Sequence, residues 1–81
     1  MRIRLLAFAT AAQALGAAER EVELPEGTTV GALARRLAQL HPALAPQLPR
    51  LAFAVDGELA RSERALADGC EVALLPPVSG G

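Results

Sequence analysis

The chain has 81 residues, 52% of them hydrophobic and 21% charged: enough apolar material for one core, and too short a chain for two. Eight basic against nine acidic residues leave a formal charge of -1, so no basic field exists to hold nucleic acid or an anionic lipid surface. With one His, one Cys and no Lys, the side chains of an ordinary catalytic centre or a Schiff base are scarce.

Arg2 to Ala9 alternates, with Ile3, Leu5, Ala7 and Ala9 on one face and Arg2, Arg4, Leu6 and Phe8 on the other, which predicts a first strand. Thr10 to Ala18 is Ala-rich and ends near Gly16; it allows one helical turn but is too short to stand alone, so it is expected as a connection. Arg20 to Leu24 alternates again, with Val22 and Leu24 inward, until Pro25, Glu26 and Gly27 stop it. Thr28 and Thr29 are candidate N-caps for an amphipathic helix carrying Val30, Leu33, Leu37 and Leu40 on one side, closed by His41 and Pro42. Pro42, Pro46 and Pro49 then predict a surface loop with little regular structure.

Leu51 to Val55 reads as a strand, Asp56-Gly57 as a tight turn and Glu58 to Ala60 as a short return strand. Asp68-Gly69 is a second turn of the same chemistry, and Cys70 to Leu75 the last strand, with Cys70, Val72 and Leu74 sorted from Glu71, Ala73 and Leu75. One helix covering one face of a mixed sheet, with the first and last strands adjacent in its middle, is a β-grasp, ubiquitin-like α+β fold. Residues 1–75 form that domain and 76–81 a tail. No run reaches the roughly 18 apolar residues of a bilayer span, and the N-terminus lacks a signal-peptide h-region, so a mature cytoplasmic protein is expected. The single Cys70 permits no internal disulfide, in keeping with a reducing compartment.

The tail runs Pro76, Pro77, Val78, Ser79, Gly80, Gly81. Two prolines fix φ and remove two backbone donors, so the segment is expected to leave the sheet stiff and extended. Gly80 and Gly81 add no side chain, which lets a terminal carboxylate travel down a channel only as wide as a backbone.

The stretch from Asp68 through Leu75 to Pro76, Pro77, Val78, Ser79, Gly80 and Gly81 resembles the C-terminal signature of the small subunit of molybdopterin synthase, a MoaD-type ubiquitin-like sulfur carrier. The opening Ile3 to Ala9 and the overall length are similar too. The resemblance implies that an ATP-dependent adenylyltransferase related to ubiquitin-activating enzymes adenylates the Gly81 carboxylate. A persulfide sulfur donor then converts it to a thiocarboxylate. The tail, Pro76 to Gly80 leading to Gly81, would enter the large subunit of a heterotetrameric synthase. There sulfur would pass to cyclic pyranopterin monophosphate for molybdenum cofactor biosynthesis. The carrier itself would bind no cofactor, ATP being used by the activating enzyme, and would supply no acid-base side chains.

If Ile3, Leu5, Val72 and Leu74 face the helix, Phe8 and Leu75 emerge on the uncovered sheet face near the tail, where apolar groups invite a partner. In the resembled family this patch contacts both the activating enzyme and the large subunit, and Phe8, Leu59 and Leu75 match its positions. Arg4 is a candidate rim contact. Cys70 stands where that family usually has an acidic turn residue; without a nearby His or Lys it is expected to be structural. His41 has no second ligand at metal spacing, so no metal site is expected. Alternative readings are a sulfur carrier for thiamine, cysteine or tRNA thiolation, and a ubiquitin-like protein modifier.

Overall fold

Alternation in the first strand does what period two requires: Ile3, Leu5 and Ala7 are buried while Arg2 and Arg4 are exposed. A computed structural model describes residues 1–76, in which β1 (Arg2–Ala7), β2 (Glu19–Glu23), β3 (Ala52–Val55), β4 (Glu58–Ala60) and β5 (Glu71–Leu75) form one sheet. The strand order is β2-β1-β5-β3-β4, with β1 and β5 parallel in the middle and the other pairs antiparallel. Helices α1 (Ala9–Leu15) and α2 (Val30–Leu40) complete the β-grasp fold expected from the element order. Val30, Leu33 and Leu37 of α2 join Ile3, Leu5, Val72 and Leu74 in one core, so α2 covers one sheet face.

The start of α2 is fixed twice. Thr29, extended at the N-cap, accepts a hydrogen bond at Oγ1 from the Ala32 amide at 3.2 Å. Thr29→Ala should lower stability by about 1 kcal/mol, measured by urea unfolding. The Val30 and Gly31 amides donate to the carbonyls of Arg64 and Ser62, each at 2.9 Å, so the first turn of α2 lies against the 62–64 backbone. A Cβ at Gly31 would stand 3.2 Å from that same Ser62 carbonyl oxygen and 3.1 Å from Ser62 Cβ. Gly31→Ala therefore should lower the melting temperature, although the same change in an exposed helix interior gains about 1 kcal/mol.

Four expectations change. The first strand ends at Ala7, and the segment read as a connection is α1: Ala9 takes φ 52° and turns the chain off the strand. Ala11 and Leu15 bury one face of α1, and Gly16, at φ 86°, ends it by donating to Ala12 O at 2.9 Å. Tertiary burial stabilises what the length alone would not. Leu40, placed on the buried stripe of α2, is 57% exposed. The core beneath that last turn is filled from the Pro-containing loop, where Leu44 is wholly buried and Leu48 begins a 3-10 turn, Leu48–Arg50. That loop is therefore part of the core rather than loose surface. Finally, the two Asp-Gly turns differ: Asp56 and Gly57 both take positive φ, 48° and 84°, as a primed hairpin turn requires, whereas at the second only Gly69 does.

Candidate functional site

Both Asp-Gly turns fasten the start of β5, at the end of the sheet away from the tail. The Asp56 amide donates to Glu71 O at 2.8 Å, and Asp56 Oδ1 accepts from the Glu71 amide at 2.9 Å. Asp68 Oδ1 accepts from the Arg2 amide at 2.7 Å, while Gly69 N–H donates to Arg2 O at 2.7 Å. With β1 on one side and β3 on the other, β5 is held along its whole length. The residue that leaves it, Pro76, is exposed. Pro77, Val78, Ser79, Gly80 and Gly81 lie outside the described residues.

Register defines the face that α2 does not cover. Leu6, Ala73, Ala54 and Leu59 are consecutive cross-strand partners and form one row across four strands. Nearer the tail, Leu75 pairs with Ala52, and one further step of the β1–β5 register sets Phe8 beside Leu75. Phe8 is 46% and Leu59 74% exposed, and Leu75 is half-buried. These three candidate residues thus share one face, with the root of the tail between Phe8 and Ala52. Ala54 is buried without belonging to the core, because its own face covers it. Leu6, Ala52, Ala54 and Ala73 complete the apolar surface. They were not singled out from the sequence, since alternation assigns them a face but only strand pairing makes them neighbours.

The far end of this face and its β2 edge are charged. Arg2 reaches Glu23 at 2.9 Å and Arg4 reaches Glu19 at 3.1 Å, all four side chains being exposed. The hydrogen bond from the Arg2 guanidinium holds the Glu23 carboxyl below the usual Glu range. Whatever stability this pairing adds is present above that usual range and is lost as pH falls through the lowered value. Arg4 is therefore already paired within the chain. Cys70 is 4% exposed within the core and His41 caps α2 by donating its backbone N–H to Leu37 O at 2.8 Å. Among the described residues no three His, Cys, Asp or Glu side chains gather as a metal site, and no helix is long and apolar enough to cross a membrane.

This arrangement has known counterparts. The ThiS family model matches residues 5–81. A molybdopterin synthase sulfur carrier subunit of Chlamydomonas reinhardtii is 37% identical over 83 residues, covering 100% of both chains. The crystal structure of small archaeal modifier protein 1 from Haloferax volcanii superposes with TM-score 0.87 at 31% identity, covering 100% of each chain. A putative molybdopterin converting factor, subunit 1, from Pyrococcus furiosus gives TM-score 0.88 at 28% identity, over 96% of this chain and 99% of that one. This chain belongs to the ThiS family, and its likeness to a molybdopterin synthase sulfur carrier subunit runs from end to end.

Proposed function

We propose that the chain is the sulfur-carrying small subunit of a molybdopterin synthase and that its reacting group is the α-carboxyl of Gly81. The observation that carries this reading is the 37% identity to such a subunit over the full length of both chains. The fold adds a physical reason: the tail root sits at the end of a central strand, beside an apolar face that no element among the described residues covers. In the proposed cycle an ATP-dependent adenylyltransferase joins AMP to the Gly81 carboxylate with release of pyrophosphate. A persulfide sulfur displaces AMP, and a second thiol cleaves the resulting acyl disulfide to leave the thiocarboxylate. The large subunit then receives the tail, and sulfur passes to cyclic pyranopterin monophosphate.

Phe8, Leu59 and Leu75 form the docking patch in this reading, and Pro76 to Gly80 the inserted arm. Intact-mass measurement of the protein from its native host tests it: a species heavier by the difference between sulfur and oxygen is expected, and it should vanish when the adenylyltransferase is deleted. Its absence from actively growing cells would count against the reading. A second reading, a protein modifier, is favoured by the likeness to small archaeal modifier protein 1. It predicts covalent adducts that survive denaturing gels, whereas the carrier reading predicts a single band. In either case the chain has no Lys on which to build polymers of itself.

A further inference from the structure

Charge is unevenly distributed along the sheet axis. β1, β4 and β5 run toward the tail root while β2 and β3 run away from it. The far end therefore gathers Glu23, Asp56, Glu58, Asp68 and Glu71, where Arg2 and Arg64 are already bound to Glu23 at 2.9 Å and to Glu58 at 3.7 Å. At the tail end the sign reverses. Glu19, at the start of β2, is occupied by Arg4 at 3.1 Å. Arg50 and Arg61 are exposed there, and neither has an ion-pair partner among the described residues.

Both stand at the root of the tail. Arg61 follows Ala60, the partner of Phe53, so one further step of register sets Arg61 beside Ala52, whose own partner is Leu75. Arg50 precedes Ala52 by two residues and, with Thr10 and Leu51, lines a recess just past the end of β1. Glu63, the acid nearest to Arg61 in sequence, accepts the Ser62 hydroxyl at 2.9 Å.

We propose that Arg50 and Arg61 form a cationic collar around the tail root that pairs with carboxylates at the mouth of the channel through which the large subunit of the synthase receives the tail. This deepens the proposed function and rests on it. A guanidinium covered by a partner without receiving an acceptor carries a desolvation cost, so a surface that buries this collar has to supply anionic or carbonyl groups in register with it. The separation of charge also has a kinetic consequence. With the acidic end behind and the basic end in front, an electronegative channel mouth orients the carrier tail-first before contact.

The test is the association rate of the full-length chain with the large subunit of the same organism, followed by stopped flow at low and high salt. Arg50→Glu combined with Arg61→Glu should slow association about tenfold or more at low ionic strength, and the gap should close at about 1 M salt, where the Debye length falls to about 3 Å. Arg50→Gln with Arg61→Gln should fall between this and the unaltered chain. Arg35→Glu with Arg36→Glu changes net charge by the same amount on the exposed side of α2 and should leave the rate near its original value. Equal slowing by both reversals would reduce the effect to net charge and overturn the collar, as would an unchanged rate in the Arg50 and Arg61 variants. If the collar variants associate normally while Leu59→Glu does not bind, the carrier reading stands without the collar. If the unaltered chain does not bind the large subunit, both fail.

Discussion

Removing Gly81 should abolish sulfur delivery while leaving the domain as stable as before. β5 ends at Leu75, and the described hydrogen bonds and core contacts all lie within residues 1–76, so the truncation takes nothing from them. What it takes is the proposed acyl group itself. A chain ending at Gly80 displays a carboxylate one residue short, by about 3.5 Å of extended backbone. That exceeds the tolerance of the carboxylate's in-line attack on the α-phosphorus of ATP, where reacting atoms need to stand about 3–3.5 Å apart. Molybdopterin formation in the reconstituted synthase should drop to background, and intact-mass spectra should show no sulfur-bearing form. Gly80→Val is the companion variant: the carboxylate stays at its full distance, but a β-branched side chain restricts the backbone and thickens the arm. Normal cofactor synthesis by Gly80→Val would refute the narrow channel, and normal synthesis without Gly81 would refute the terminal carboxylate as the reacting group.

Most of the sheet was legible from the sequence because period-two alternation and Asp-Gly turns are local signals. Val72 and Leu74 against Ala73 and Leu75, or Ile3 and Leu5 against Arg2 and Arg4, sort themselves without reference to any other strand. Placing β1 beside β5 followed from the need to join two strand pairs through one crossover helix. Helix α1 was not legible, since the seven residues from Ala9 to Leu15, Ala-rich as they are, are too few to signal a stable helix and acquire one by burying Ala11 and Leu15. Leu44 and Leu40 exchange the roles their positions suggest: a loop leucine after Pro42 is wholly buried and a helical leucine at a three-residue spacing is exposed. No periodic pattern reports that, because it depends on how the loop folds back under α2.

The uncovered face shows the same division. Phe8 and Leu75 could be assigned to it from alternation, and Leu59 only by resemblance to a family, because β4 is three residues long and too brief for alternation to declare a face. The contiguous row from Leu6 through Ala73 and Ala54 to Leu59 exists only in the pairing of four strands. The small side chains of that row matter as much as the large ones. Ala73 and Ala54 keep its centre shallow, so the surface between Leu6 and Leu59 offers a partner side chain a seat rather than a ridge. β5 is also the strand best placed to carry a thread, since it is paired on both sides and fastened at its start by Asp56 and Asp68. An arm that must enter a channel in a fixed direction gains from a root that does not fray.

Leu59→Glu, alone and with Phe8→Asp, should cost little stability and most of the affinity for the large subunit. Leu59 is 74% exposed on an edge strand and belongs to no core contact group, so an acidic side chain there stays hydrated and the unfolding free energy should change by less than about 0.5 kcal/mol. In the docked state the same carboxylate would be buried against the partner without a counter-charge. Loss of the apolar contact together with that desolvation typically costs 2 kcal/mol or more at the centre of an interface, about thirtyfold in Kd, and the double change should exceed about a hundredfold. Ala54→Glu is a harsher version, since Ala54 is the covered centre of the row, but it risks the sheet itself; Leu59 separates docking from folding. Calorimetric titration against the large subunit, alongside urea unfolding of each variant, measures the two quantities independently. Unchanged affinity in the double variant would show that the partner grips the tail alone, and the open face would need another explanation.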